Sequence, residues 1–468
     1  MLTKTNYILW RECAKNAWLK IHKPDIYFAN ELSAFEQNII ETGNEVDELV
    51  REIFPNGKYQ ERFEIDDFLA DTDVTIEDND GFNVYEVKAT NEINKKTHYH
   101  DLAFQVNVLK MLGHKIKSAN LVHLNKDYVR AGELNLQELF KVEDVTEKIT
   151  EILPEVKEEM TLAKNYLSEE KEPKGPCSCV YKGRSGHCRT FSHSNPDIPE
   201  YSVHDLARIG LSKRKLIEIV DSGFLHPHEI PEHIELSDIQ KNQIWTLVND
   251  RTLMSREEIT AELDKLIFPL YFFDYETYPA AMPRFNGFSP YQQIPFQYSL
   301  HILDTPESEP RHLDFLHTEL DDPSLSLLES LREHIGPKGS IIVWHKSFEA
   351  GRNNELAKRL PEAVTFLKNF NERIYDLEDI FKKQHYVHKN FRGSSSIKKV
   401  LPVLVPELSY KELDIQEGGS AAESWNRLTS KAIDQKEKET IINDLKEYCK
   451  LDTYAMYAVW RELYNLIK

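Results

Sequence analysis

The segment Tyr271-Phe272-Phe273-Asp274-Tyr275-Glu276-Thr277 sets two acids inside an aromatic run. Such a run reads as a strand, and side chains alternate along a strand, so Asp274 and Glu276 fall on one face. Burying two carboxylates side by side is costly unless a charge compensates them, and a divalent metal ion is the usual compensation. Two later segments extend the pattern. Ile341-Ile342-Val343-Trp344-His345-Lys346-Ser347-Phe348-Glu349 is an apolar strand running into an acid. In Glu447-Tyr448-Cys449-Lys450-Leu451-Asp452, a helix puts Tyr448 and Asp452 one turn apart on one face.

A D-x-E strand, a strand-to-helix acid and a late Y-x-x-x-D helix together resemble the DEDD exonucleases of the RNase H-like (DnaQ-like) fold, in their tyrosine variety. The resemblance implies hydrolysis of nucleic acid from a 3′ end with two metal ions. It assigns Asp274, Glu276, Glu349 and Asp452 to Mg²⁺ or Mn²⁺, and Tyr448 to the attacking water. Most of that family has Asp where this chain has Glu349, and Asp376 is the reserve acid.

A second acidic pattern lies near the N-terminus. Strands are expected at 59–66, 69–76 and 82–88, with a hairpin turn at Glu77-Asp78-Asn79-Asp80-Gly81. The turn brings Asp73 close to Glu86 and Lys88, and the last two face the same way. This arrangement resembles the PD-(D/E)XK nuclease core of the RecB-like and CRISPR-associated branch. The likeness makes Asp73 and Glu86 ligands of Mg²⁺ or Mn²⁺, and Lys88 the group that positions water. A helix at 36–53 precedes the hairpin and one at 98–113 follows it, bringing Gln105, expected to meet nucleic acid. Where the branch has a histidine ligand in G-x-x-V-H, this chain has Asp47 in Gly43-Asn44-Glu45-Val46-Asp47. Leu109 stands where the branch has a tyrosine.

Of five cysteines, Cys13 stands alone near the start and Cys177, Cys179 and Cys188 cluster. Thiolates are soft ligands for iron–sulfur or zinc, and the spacing fits no common zinc finger. The same branch carries an iron–sulfur cluster held by one early and three late cysteines. The resemblance thus implies a [4Fe–4S] staple on Cys13, Cys177, Cys179 and Cys188, with Zn²⁺ as the alternative.

A net charge of −20 argues against indiscriminate coating of nucleic acid and leaves room for a local basic groove. From Ile380 to Pro406 there is no acid. That stretch carries Lys389, Arg392, Lys398 and Lys399 among others, interleaved with Tyr386 and Phe391. Basic and aromatic residues together suit a single strand. No apolar run approaches a membrane span, and Met1-Leu2-Thr3-Lys4 opens no signal-like segment, so the expected location is cytoplasmic, without a membrane partner.

Three regions are expected from 468 residues. These are a PD-(D/E)XK domain with its cysteine cluster at 1–195, a helical linker at 196–265, and an RNase H-like mixed sheet with flanking helices at 266–468. The fold class is thus α/β and α+β multidomain. Nearly the whole chain resembles bacterial proteins of unassigned function that join a RecB-like half to a DEDD-like half. The shared stretches include Pro290-Tyr291-Gln292-Gln293-Ile294-Pro295-Phe296-Gln297 and Gly393-Ser394-Ser395-Ser396-Ile397-Lys398-Lys399. The expected function is a metal-dependent 3′–5′ exonuclease on single-stranded DNA, in DNA repair or in defence against foreign DNA. The alternatives are a nucleic-acid-binding protein with decayed sites and an RNA-processing exonuclease.

Overall fold

A computed structural model describes residues 1–29, 34–415, 417–430 and 433–468. The chain is mixed α/β and divides into two compact units. One comprises Met1–Glu200, Leu216–Val220 and Ala281–Gln292. The other comprises Tyr201–Lys215, Asp221–Ala280 and Gln293–Lys468. No helix among the described residues is long and apolar enough to cross a membrane.

The first unit is built on a six-stranded sheet. Lys58–Ile65 pairs antiparallel with Phe68–Asp78, and that strand turns back into Gly81–Lys88. Ile116–Leu124 then joins parallel to Gly81–Lys88, and Phe140–Asp144 closes the edge antiparallel. The last strand escapes sequence reading because it is short and carries Lys141, Glu143 and Asp144. Gly81 makes the hairpin possible: its φ is +135°, and a Cβ there would lie 2.4 Å from the Lys115 carbonyl oxygen. Helices Lys95–Met111 and Thr146–Ser168 pack together with the N-terminal helices, burying Tyr7, Trp18, Phe104 and Leu109. Leu109, the departure from the tyrosine pattern, is therefore a core residue.

Two N-terminal residues fix the position of a third. Leu2–Thr3 forms a short strand parallel to Phe68–Leu69. Thr3 also caps helix Lys4–Glu12 by accepting from Asn6 N at 3.2 Å. Lys4 is thereby held beside the strand that carries Asp73.

The second unit holds a five-stranded sheet in the order Arg311–Leu316, Gln293–Leu303, Leu270–Pro279, Ser340–Val343, Ile374–Asp376. The first three are antiparallel and the last two join in parallel. One face buries Phe273, Tyr275, Tyr298 and Phe370. The other receives the 33-residue helix Gln435–Ile467, whose Trp460 and Tyr457 pack on Phe272.

Candidate metal centres

Strand Leu270–Pro279 changes chemistry along one face. Leu270 and Phe272 are buried in the core shared with the C-terminal helix. The next residues on that face, Asp274 and Glu276, meet Asp452 of the same helix, and one oxygen from each of the three lies within 4.8 Å of the others. The helix is held in register by the neighbouring strand. Gln297 and Ser299 are the strand partners of Glu276 and Asp274. Gln297 Nε2 donates to the Leu445 carbonyl at 2.9 Å, and the Ser299 and Thr453 hydroxyls are 2.7 Å apart. Gln297 is thus a buried structural glutamine.

Glu349 comes from helix Lys346–Arg359, is 1% exposed, and lies near enough to Asp274 for the two carboxyls to share a proton. One turn along, Asn353 accepts from Tyr275 OH at 2.9 Å, tying this helix face to the strand. Glu349 Oε2 is buried with no hydrogen-bond partner among the described residues. Tyr448 lies one helical turn from Asp452, and the Tyr410 hydroxyl donates to Asp452 Oδ1 at 2.7 Å. Tyr410 was not expected. It lies in a single 3-10 turn, Tyr410–Glu412, with no periodicity to mark it.

The electrostatics follow from burial. Burial, and then the charge of Asp452, raises Asp274 to about 8. Burial raises Asp452 to about 6 against its hydrogen bond from Tyr410. Glu276 and Glu349 are pushed well above the ordinary carboxylate range by burial and then by Asp274. The cations whose charge reaches this cluster are Lys398 and Arg352, and among the described residues no ion pair closes on any of the four carboxylates. Carboxylates this close share protons unless a cation joins them. Buried oxygen donors with an orphaned acceptor fit a hard divalent ion such as Mg²⁺ or Mn²⁺.

Asp376, the reserve acid, is committed elsewhere. Its carboxylate accepts from His345 N at 3.1 Å and Lys346 N at 3.0 Å, capping the helix that carries Glu349. His345 sits at φ 103° and is exposed.

The acids of the first unit are arranged differently. Asp73 and Glu86 do approach each other, but Lys4 Nζ lies between them. It is 3.2 Å from Asp73 Oδ1 and 3.0 and 3.1 Å from the two Glu86 oxygens. Lys88 Nζ is 2.6 Å from Glu86 Oε1 and also pairs with Asp101. Gln105 Nε2 donates to Glu86 Oε2 at 2.5 Å, and Val87 N to Asp73 Oδ2 at 2.8 Å. Burial opposes the charge on Glu86, yet Lys4 and Lys88 hold it well below the usual range. Burial raises Asp73 to about 8 and Asp101 to about 6. Asp47 lines a small pocket with Asp73, and burial raises it too.

Among the described residues, Asp47, Asp73 and Glu86 do not form a three-ligand set. Lys88 is paired with two carboxylates, Glu86 and Asp101. Gln105 is fully buried and orients Glu86. Lys4 escaped notice because its contact with Glu86 spans 82 positions in sequence.

The four cysteines converge. The Sγ atoms of Cys13, Cys177, Cys179 and Cys188 all lie within 4.8 Å of one another, and Cys188 is 3.8 Å from both Cys13 and Cys177. All are free thiols, far beyond the ~2.05 Å of a disulfide. Asn195 Nδ2 donates to Cys177 Sγ at 3.2 Å, Lys15 Nζ to Gly175 O at 2.7 Å, and Trp18 Nε1 to Glu169 O at 2.8 Å. The N-terminal helices are thus stapled to residues 169–195. Four soft donors in one place can hold a metal group.

In the basic stretch, Lys389 pairs with Asp250 at 2.5 Å and Arg392 stacks on Tyr201, 5.7 Å from the ring centre. Lys398 lies 5.8 Å from the Tyr410 ring centre, and Lys398 and Lys399 are exposed on helix Ile397–Leu404.

Residues 271–396 match the family model of a domain of unknown function, DUF2779. The chain is 29% identical over 205 residues to the uncharacterized MG366 homologue of Mycoplasma pneumoniae, covering 40% of this chain and 31% of that protein. It is 30% identical over 210 residues to the uncharacterized protein UU173 of Ureaplasma parvum, covering 40% and 30%. Uncharacterized MG366 of Mycoplasma genitalium is 28% identical over 214 residues, covering 42% and 32%. The chain spans about a third of the length of the curated relatives it matches. No solved structure matches.

Proposed function

We propose that this protein is a metal-dependent nuclease whose chemistry resides in the second unit. On this reading it removes nucleotides from the 3′ end of single-stranded DNA. The observation that carries the reading is the largely buried set of Asp274, Glu276, Asp452 and Glu349, which no ammonium or guanidinium among the described residues neutralises. Four ionised carboxylates carry a charge of −4, which two divalent ions balance. When bound, such ions polarise the phosphate, lower the pKa of water and stabilise the leaving oxygen. Asp274, Glu276, Glu349 and Asp452 would hold them. Tyr410 holds the Asp452 carboxylate through its hydrogen bond, and Tyr448, one helical turn from Asp452, would orient attacking water. Lys398 brings positive charge to the same face, suited to a phosphodiester.

The exposed Lys398 and Lys399 favour a backbone-tracking site. The choice of DNA follows the RecB-like resemblance of the first unit, and repair and defence against foreign DNA both suit that substrate. The cysteine staple is proposed to hold a structural metal group. A single tetrahedral ion with metal–sulfur bonds of ~2.3 Å needs sulfurs about 3.8 Å apart. The 3.8 Å separations therefore support Zn²⁺ over the [4Fe–4S] cluster of the resemblance.

Side-by-side digestion of 5′-labelled DNA and RNA of one sequence, with Mn²⁺, tests the reading. Shortening of the DNA from its 3′ end, absent in Asp274→Ala with Asp452→Ala, is expected. Preferential digestion of the RNA would replace the substrate and keep the chemistry. Binding of either strand without cleavage would favour a nucleic-acid-binding protein with decayed sites.

A further inference from the structure

The two acidic centres solve one problem in opposite ways. Both bury carboxylates that repel each other. In the second unit no ion pair among the described residues closes on the carboxylates. In the first, every carboxylate oxygen of Asp73 and Glu86 already accepts a hydrogen bond. Asp73 Oδ1 accepts from Lys4 and Oδ2 from Val87 N; Glu86 Oε1 accepts from Lys4 and Lys88, and Oε2 from Lys4 and Gln105.

From this we infer that the Lys4 ammonium is a built-in cation seated where a divalent ion would bridge Asp73 and Glu86, so that the first unit takes no divalent metal while Lys4 is in place. This site then acts as a fixed polar element of the first unit and does not hydrolyse phosphodiesters.

Four observations carry the inference. Lys4 contacts three oxygens on two acids at 3.0–3.2 Å, which is how a bridging cation sits. It is held there by its flanking structure: Leu2 is buried and strand-paired to Phe68, Thr3 caps the helix, and Tyr7 is buried one turn on and hydrogen-bonds Glu159. Displacing Lys4 would also leave its ammonium seeking water from a mostly buried position, with 21% of the side chain exposed. A divalent ion arriving at Glu86 would face two ammonium groups already bound to that carboxylate.

Mn²⁺ binding to the full chain, followed by electron paramagnetic resonance, tests this independently of nuclease activity. The background is Asp274→Asn with Asp452→Asn, which removes the other acidic centre; failure of the wild-type chain to bind Mn²⁺ there would count against the proposed nuclease and leave the present test intact. With Lys4 in place, no Mn²⁺ uptake that depends on Glu86, judged against Glu86→Gln, is expected. Lys4→Met is expected to create one Mn²⁺ site, raising apparent affinity at Glu86 at least tenfold over the chain with Lys4 intact, and lost again when Glu86→Gln is added. Glu86-dependent uptake with Lys4 intact overturns the inference, as does a folded Lys4→Met chain that gains no site. Should Lys4→Met fail to fold, Lys4→Gln replaces it, and the comparison with Lys4 intact still decides.

Discussion

The Tyr410 hydroxyl donates to Asp452 Oδ1 at 2.7 Å from a position 42 residues earlier in the chain. A residue outside the C-terminal helix thereby holds a carboxylate that lies one helical turn from Tyr448. Groups that orient a metal-binding carboxylate commonly matter ten- to a hundredfold. Tyr410→Phe keeps the ring near Tyr448, with centroids 6.5 Å apart, and removes only the hydroxyl. A fall in kcat of roughly 10- to 100-fold is expected, with KM for a single-stranded oligonucleotide little changed. Steady-state kinetics check this, and an unchanged kcat would remove Tyr410 from the site.

The same centre shows what was legible in sequence. Asp274 and Glu276 were readable because period-2 alternation fixes a shared face, and Tyr448 and Asp452 because helical spacing fixes another. Glu349 was found as the acid at a strand-to-helix junction. Tyr410 and Lys4 were not readable, since neither lies in a periodic pattern and each reaches its partner through tertiary packing. The partner of Gln105 was hidden for a related reason: sequence places it on a helix, and only the packed structure shows that it faces the buried Glu86. Asp376 looks like a ligand until its two backbone N–H partners are seen.

Stability should show a titration at His301. Burial, and then neighbouring His312, lowers its pKa to about 3, and its Nδ1 lies 2.8 Å from the Thr453 hydroxyl. The folded pKa lies below the unfolded value of about 6.5, so the unfolded chain takes up the proton first. Stability from this group is full above pH 6.5 and is lost as pH falls toward 3. By pH 4 the loss is about 3 kcal/mol. Denaturant unfolding of wild type and His301→Gln at pH 7 and pH 4 measures it; the variant should lose about that much less, and parallel behaviour would refute the assignment.

The cysteine staple should matter to the first unit. Cys13→Ser removes the one thiolate supplied by the N-terminal helices. Structural metal sites contribute several kcal/mol, so a fall in Tm of roughly 10 °C is expected. Metal analysis of the same preparation should find about one zinc per chain in wild type and none in the variant. Four irons per chain, with visible absorbance, would restore the cluster.

Gly81→Ala tests the hairpin that positions Asp73 against Glu86. At φ +135°, with a Cβ 2.4 Å from the Lys115 carbonyl, alanine forces the backbone to shift. A loss of roughly 2–3 kcal/mol is expected by chemical denaturation. A neutral effect would mean that the turn has another accessible conformation.

The most direct test is a time course on 5′-labelled single-stranded DNA with Mn²⁺, using wild type, Asp274→Ala and Glu86→Gln. The expected result is a ladder shortening from the 3′ end in wild type and Glu86→Gln, with the rate reduced by about a thousandfold or more in Asp274→Ala. Full activity in Asp274→Ala, with loss in Glu86→Gln, would contradict the account and move the chemistry to the first unit.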